Sequence, residues 1–373
     1  MIPEISTREL LKLASGDYFS IQIYKFSGKF PGKKAYIQAN LHGAEIVGNA
    51  VIYQLIQDFS ALDPNQINGE IWLVPVCNPM STNQRTHFFS TGRFNPHDGK
   101  DWNRIYWDYE KECNDLKSFA QTQIKLKTEK IRDNYLGKIQ GAFAQQLTAI
   151  EKPSSVPYNY QYRYQLQSLC LDANYVIDIH SSSVKSIDYL YCFQSREESA
   201  KYFLLPYGIL MNKYDGDAFD EAFMKPWLAL EKQLAKLGRK IKFDLESWTL
   251  ELGSGMEMNP ESVIKGVRGI KNYLLHQGIL NLNLEPSTTD IVLTEKSQIK
   301  NYYAPTGGMI KLTATLGSKV KLGEKLYEIL SFNKTGELPS VIEVYAEANG
   351  LLFDLSSNQA VNQGEYVLGI MND

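Results

Sequence analysis

The chain has 373 residues, of which 43% are hydrophobic and 22% are charged. These proportions are ordinary for a globular protein and exclude a disordered or fibrous chain. The 39 basic and 42 acidic residues leave a net charge of -3, which provides no basic field for a nucleic acid backbone. We therefore expect a compact protein of two or three domains with no nucleic acid partner.

The N-terminal segment and the cysteines indicate a cytoplasmic protein. The segment MIPEISTREL has no basic stretch followed by an apolar one, which a secretory signal would have. No run of residues approaches the length of a membrane span, so we expect no membrane partner. The four cysteines are widely spaced and form no CxxC pair, which argues against a disulfide framework.

The first half of the chain alternates predicted strands and helices. Ser6 and Glu9 match a capping box and predict a short opening helix that continues to Leu13. Two strand-like runs follow, FSIQIYKF and KAYIQAN, and then a helix over residues 46–59 and the strand EIWLVPV. Residues 108–152 are rich in Lys, Glu, Gln and Asp and predict an inserted region of exposed helices.

The later segments predict the domain organisation. NYVIDIHSSS and WTLELGS are predicted strands, and residues 260–277 form a predicted helix. This alternation predicts an α/β domain over residues 1–287 with a largely parallel sheet, whose ligands gather beyond the carboxyl ends of the strands. From residue 288 to residue 373, short strand-like runs broken by glycines predict a second domain that is all β.

Polar residues at two predicted strand ends suggest a metal site. His42 and Glu45 lie in HGAE just after one strand, and His180 lies at the end of NYVIDIH. A catalytic zinc ion typically takes three ligands from His, Asp and Glu and leaves one position for water. The HxxE pair alone is a weak signal, because a His and a Glu at this spacing often face only solvent or each other.

Five motifs, in order, resemble the succinylglutamate desuccinylase and aspartoacylase family, which is related to the zinc carboxypeptidases. They are NLHGAEIVGN, VCNP, GKDWNR, DIHSSS and TLELGS, and the resemblance covers roughly residues 33–280. The family pattern is an HGxE ligand pair, an NP turn, a DxNR motif, a DxH third ligand and a late ExG glutamate. The resemblance implies a zinc-carboxypeptidase-like fold, with a mixed, largely parallel sheet flanked by helices. It also implies one zinc ion per chain and hydrolysis of an amide bond in a small, anionic N-acylated amino acid or related carboxylate.

The resemblance also implies roles for individual residues. The three candidate ligands named above match the zinc ligands of the family. Glu251 in LELG matches the glutamate that acts as general base and then as general acid. Asn103 and Arg104 match the pair that holds the substrate carboxylate, for which the planar guanidinium group is suited.

Two further assignments leave alternatives open. Arg93 matches the arginine that polarises the scissile carbonyl, but Arg85 is an alternative because the stretch before Arg93 is longer than in the family. Asp101 and Asp178 are candidates for orienting the histidines, and an ordinary turn or cap role is the alternative.

The C-terminal region resembles the biotinyl/lipoyl-like barrel-sandwich hybrid appended to some family members. Lys311 lies within a predicted strand and not at the exposed turn that a carrier lysine occupies. We therefore expect this region to cover the catalytic cleft or to form an interface in a homo-oligomer.

Three functions follow from these motifs. A deacylase acting on a small N-acylated amino acid is favoured over a metallocarboxypeptidase, which the same residues would serve. A non-catalytic metal-binding or ligand-binding protein is the third interpretation, but such a protein would be expected to lack Glu251 or one ligand, and neither is missing.

Overall fold

The computed structural model of the chain describes residues 1–87, 90–152, 157–214 and 216–373. Its largest sheet has the strand order β1-β2-β4-β3-β5-β9-β7-β8-β10. These strands are β1 (Glu4–Lys12), β2 (Tyr18–Ser27), β3 (Phe30–Ala39), β4 (Asn68–Val74), β5 (Tyr175–Ser182), β7 (Tyr189–Phe193), β8 (Tyr207–Met211), β9 (Glu246–Ser254) and β10 (Val292–Glu295). Strands β4, β3, β5 and β9 are parallel neighbours, whereas β1, β2 and β7 pair antiparallel with strands beside them. The mixed, mostly parallel sheet predicted from the sequence is confirmed.

Helices cover both faces of this sheet. Alternate residues of a strand point to opposite faces, and on β3 and β5 both sets are buried. Ile37 and Ile177 pack with α1 and α9 on one face, while Tyr36 and Val176 pack with α6 and α8 on the other. The helices in the described ranges are α1 (Val47–Ser60), α2 (Pro79–Asn83), α3 (Tyr109–Glu112), α4 (Leu116–Gln123), α5 (Thr128–Ile150), α6 (Tyr158–Gln167), α7 (Glu197–Ala200), α8 (Phe219–Lys236) and α9 (Pro260–His276).

The charged region at residues 108–152 contains α3, α4 and α5. These helices are not only solvent-facing, because Tyr135 and Phe143 of α5 are buried in a cluster that includes Trp227 of α8. Aromatic packing therefore attaches this region to the main domain. None of the helices in the described part of the chain is long and apolar enough to cross a membrane.

The predicted opening helix is wrong, because residues Glu4–Lys12 form the edge strand β1. This strand pairs antiparallel with β2 and has a bulge between Glu9 and Leu11. The bulge breaks the apolar alternation and leaves Leu10 as the buried residue of the strand. Pairing with β2 thus outweighs the local capping pattern that suggested a helix.

The C-terminal region consists of two antiparallel sheets. One has the order β11-β18-β16-β13, with β6 (Lys185–Ser186) added to β16, and the other has the order β15-β14-β12-β17. The strands are β11 (Ile299–Tyr303), β12 (Gly308–Leu312), β13 (Lys319–Val320), β14 (Lys325–Ser331), β15 (Ser340–Tyr345), β16 (Gly350–Leu355), β17 (Ala360–Val361) and β18 (Tyr366–Asn372). Lys311 lies in β12, as predicted.

Strands and side chains join the two regions firmly. Strand β10 lies beyond residue 288 and pairs with β8 of the large sheet, while β6, from the first region, pairs with β16. Tyr189 and Ile209 of the large sheet share a buried cluster with Phe353 and Met371 of the C-terminal sheets. The C-terminal region is therefore held in one position against the edge of the first.

Candidate active site

Three neighbouring strands bring the predicted functional residues together. His42 follows β3, His180 lies on β5 and Glu251 lies on β9, and these strands run parallel side by side. His180 and Glu251 are paired in the register of β5 and β9. Because the carboxyl ends of parallel strands meet at one edge of the sheet, the three side chains line one cleft.

The loop that carries the HGAE motif has a fixed backbone. Asn40 adopts a left-handed conformation with φ of 66°, and its side-chain amide donates to the carbonyl of Gly43 over 3.1 Å. A Cβ at Gly43 would collide with the backbone oxygen of Ser81, so this position requires glycine. The Asn78 amide of the VCNP motif donates to the carbonyl of Leu41 over 3.0 Å. The first two motifs therefore support each other.

His42, Glu45 and His180 form a compact buried cluster. Their candidate ligand atoms all lie within 4.8 Å of one another. Nδ1 of His42 is 2.8 Å from Glu45 Oε1, and Nδ1 of His180 is 2.8 Å from Glu45 Oε2. On the other side of each ring, Nε2 of His42 is 3.0 Å from Asp101 Oδ1, and Nε2 of His180 is 2.9 Å from Asp178 Oδ2. Each carboxylate partner fixes the orientation of its imidazole ring and directs Nδ1 towards Glu45.

The electrostatics of the cluster favour a cation. Burial alone would raise the pKa of Glu45, but the two imidazoles outweigh it and lower the pKa to about 2. Burial alone would lower the pKa of His42, but the Glu45 and Asp101 carboxylates raise it instead. The pKa of His180 is also raised against burial, chiefly by Asp178. The same carboxylates, of Glu45, Asp101 and Asp178, would carry an excess of negative charge if both imidazoles were neutral, as they are when they bind a metal. A bound metal ion would then balance that charge.

The cluster opens into a cleft of about 340 Å³, which also contains Glu251. The buried Oε2 atom of Glu251 has no hydrogen-bond partner among the described residues. Burial raises the pKa of Glu251 to about 7. A carboxyl group in this range exchanges protons near neutral pH, as a general base requires.

The residues predicted to bind the substrate carboxylate and to polarise the scissile carbonyl lie on the same cleft. Arg93, Asn103 and Arg104 line it, whereas Arg85 is exposed and does not. Nε of Arg93 is 3.0 Å from Asp101 Oδ2, so one carboxylate fixes both this arginine and a cluster histidine. Oδ1 of Asn103 accepts a hydrogen bond of 2.9 Å from the first backbone N–H of α8, which orients the side-chain amide. This placement favours Arg93 over Arg85.

Several residues of the cleft were not predicted from the sequence. They include Asp220 at the start of α8, Tyr189 and Tyr191 on β7, Lys296 after β10 and Asp354 on β16. No local motif marks these positions, and the last two belong to the region assigned to a separate domain. Only the tertiary structure identifies them.

Known proteins similar to this chain identify its family. A sequence model of the succinylglutamate desuccinylase/aspartoacylase catalytic domain matches residues 31–147. The whole chain is similar to the structure of a succinylglutamate desuccinylase/aspartoacylase family protein from Shewanella amazonensis SB2B. That similarity has 30% identity and a TM-score of 0.87, over 99% of this chain and 98% of the other. The chain belongs to this family. The resemblance inferred from the five motifs is therefore confirmed.

Two other proteins are similar to most of this chain. A succinylglutamate desuccinylase/aspartoacylase structure from Shewanella frigidimarina NCIMB 400 is 28% identical, with a TM-score of 0.90 over 100% of this chain and 97% of that chain. The N-alpha-acetyl-L-2,4-diaminobutyric acid deacetylase of Halomonas elongata is 25% identical over 338 residues, which are 90% of this chain and 81% of that protein. The family and the name of this relative both indicate a deacylase.

Proposed function

We propose that this family member is a zinc-dependent deacylase that hydrolyses the amide bond of a small N-acylated amino acid. The proposal is supported by the convergence on one cleft of three candidate metal ligands and Glu251, whose Oε2 atom has no hydrogen-bond partner among the described residues. A cleft of about 340 Å³ suits a small molecule better than an extended peptide, which disfavours the carboxypeptidase alternative.

The donor set fits zinc. Two imidazole nitrogens and one carboxylate, from His42, His180 and Glu45, are ligands that a catalytic zinc ion commonly takes. The carboxylates behind both imidazoles supply the oriented outer shell that such sites need. When bound, zinc would polarise the scissile carbonyl and lower the pKa of a water molecule to about 7.

Glu251 would move the proton in this reaction. Its Oε2 atom accepts a proton from the attacking water as the water oxygen forms a bond to the carbonyl carbon. The same carboxyl group then donates this proton to the leaving nitrogen as the C–N bond breaks. The acyl product leaves as a carboxylic acid that loses its proton to the freed amine, so the final products are a carboxylate and an amino acid, and Glu251 returns to its starting state.

The cationic and amide side chains would bind and orient the substrate. Arg93, held by Asp101, would stabilise negative charge on the carbonyl oxygen as the water attacks. Arg104 and the amide nitrogen of Asn103 would bind the substrate carboxylate. These contacts would select a small anionic substrate and align its amide with Glu251.

The two regions of the chain would have distinct roles. The first 287 residues would form a zinc-carboxypeptidase-like catalytic domain, with residues 108–152 as an insert. Residues 288–373 would form a barrel-sandwich-like domain that closes one side of the cleft. The cleft position of Lys296 and Asp354 supports this covering role.

The proposed activity is tested by assaying the zinc-loaded protein against a matched substrate panel. The panel contains N-acetyl and N-succinyl amino acids, including the Nα-acetyl-L-2,4-diaminobutyrate named for the Halomonas relative, and short unblocked peptides. We expect release of free amine from at least one acyl amino acid and none from the peptides. Cleavage of the peptides alone would establish the carboxypeptidase instead.

The carboxylate behind His180 should control metal affinity. Asp178 is fully buried and also accepts a 3.0 Å hydrogen bond from Gln38 Nε2. We expect Asp178→Asn to weaken zinc binding by about 10- to 100-fold, because the amide no longer holds the imidazole as the carboxylate does. Competition with a chromogenic chelator measures this, and Asp290→Asn, at an exposed position, is the control. Unchanged affinity in Asp178→Asn would contradict the orienting role.

A further inference from the structure

Asp354 is an unpaired carboxylate in the wall of the catalytic cleft. It lies on β16 of the C-terminal region, yet it lines the same cleft as Glu45 and Glu251. Its Oδ1 atom is buried and has no hydrogen-bond partner among the described residues. No ion pair found in those residues involves it, although Lys296 lines the same cleft.

The position of Asp354 is set by the junction between the two regions. Its backbone pairs with Ser186 of β6, and the Ser186 hydroxyl and the Ile187 N–H both donate to the carbonyl of Phe353, over 3.1 and 3.0 Å. Strand β16 has a register shift between Leu352 and Asp354 where it pairs with β18. Such bulges redirect side chains. The carboxylate is thus held in the cleft wall by backbone contacts from both regions.

Aromatic rings surround this part of the cleft. Tyr189 and Tyr191 line it, with ring centroids 5.6 Å apart in an edge-to-face arrangement, and Phe353 packs edge-to-face on Tyr189. Aromatic faces beside a carboxylate attract organic cations and exclude water. Burial raises the pKa of Asp354 to about 7 and outweighs the backbone N–H of Gly369, which acts in the opposite direction, so the ionised carboxylate lacks a sufficient partner.

An unpaired carboxylate in such surroundings is costly, and a cationic ligand group would offset that cost. Within the deacylase proposal, on which this step rests, the cleft already supplies Arg104 and Asn103 for a substrate carboxylate. We infer that Asp354, with Tyr189 and Tyr191, forms a subsite for an ammonium group on the substrate side chain. The preferred substrate would then be an Nα-acylated diamino acid, and Asp354 would be its specificity-determining residue.

Binding of the product amino acids tests the subsite without requiring turnover. The full-length, zinc-loaded protein is titrated by calorimetry with L-2,4-diaminobutyrate, L-ornithine and L-lysine. Each is compared with the amino acid of nearest length whose side chain is uncharged, namely L-2-aminobutyrate, L-norvaline or L-norleucine. We expect at least one diamino acid to bind wild type about tenfold or more tightly than its uncharged match, as a charge-assisted contact predicts. In Asp354→Asn this preference should fall below about threefold.

Matched variants separate a local effect from a general one. Asp354→Asn keeps the shape of the side chain and removes its charge, and Glu337→Gln removes one charge from an exposed position of the same region. Only Asp354→Asn should lose the preference, while affinity for the uncharged amino acids stays the same in all three proteins. Retention of the preference in Asp354→Asn, or no preference in wild type, overturns the inference.

Kinetics with the acylated pairs then distinguish this inference from the proposed function. Turnover of Nα-acetyl amino acids without any dependence on Asp354 leaves the deacylase and removes the subsite. Diamino acid binding that requires Asp354, in a protein that hydrolyses no acyl amino acid, keeps the subsite and removes the deacylase. If both hold, Asp354→Asn should raise KM for the ammonium-bearing substrate about tenfold and leave kcat nearly unchanged, because Asp354 would contact the substrate side chain and not the amide that reacts.

Discussion

Replacing Glu251 with glutamine is expected to lower kcat by about 10²- to 10⁴-fold, while the zinc content stays near one ion per chain. Glutamine has nearly the same shape but does not accept the proton of the attacking water. The unpartnered Oε2 atom in the cleft, and a pKa raised by burial to about 7, are the features that suit this residue to the task. Steady-state kinetics and elemental analysis on the same preparation measure both quantities.

The control for this variant is Glu257→Gln, which makes the same chemical change at an exposed position shortly after β9. Its kcat should match that of wild type. Full activity in Glu251→Gln would show that another group carries the proton. A loss of zinc in Glu251→Gln would show that the glutamate acts through the metal cluster, and either result would remove the role proposed here.

The cluster of candidate metal ligands was predictable because its signals are local. His42 and Glu45 are three residues apart in one loop, and His180 ends a strand whose apolar run marks it as buried. Parallel strands bring their carboxyl ends to one edge, so the sequence fixes the approximate meeting point of these side chains. The bend at Asn40 and the contact of Gly43 with Ser81 then determine the distances, and no pattern in the sequence carries that information.

The wall of the cleft that contains Asp354 could not be predicted from the sequence, and the reason is physical. Asp354 reaches the cleft because β16 pairs with the two-residue strand β6, and so short a strand leaves no periodic pattern. The error at β1 has a different cause, because its partner β2 follows after a short turn and this pairing, not the capping pattern, decides between helix and strand. Residues whose positions depend on contacts between distant segments carry little local signal, and in this chain they form the proposed specificity subsite.

Removal of one metal ligand is expected to have the second large effect. We expect wild type to hold about one zinc ion per chain and His180→Ala to hold almost none, because only Glu45 and His42 remain as ligands. Zinc at about a thousandfold excess over its Kd should stabilise wild type by about 4 kcal/mol, and chelation should remove that stabilisation. In His180→Ala the melting temperature should not respond to the chelator.

The choice of control matters because His180→Ala also leaves the Glu45 and Asp178 carboxylates without a histidine partner. Circular dichroism must therefore show that the variant is folded before its zinc content is compared. His97→Ala removes an exposed histidine and should keep both the metal and the response to chelation. A folded His180→Ala protein that still binds one zinc ion tightly would contradict the cluster as the metal site, because the remaining His–Glu pair offers too few ligands to hold the ion without His180.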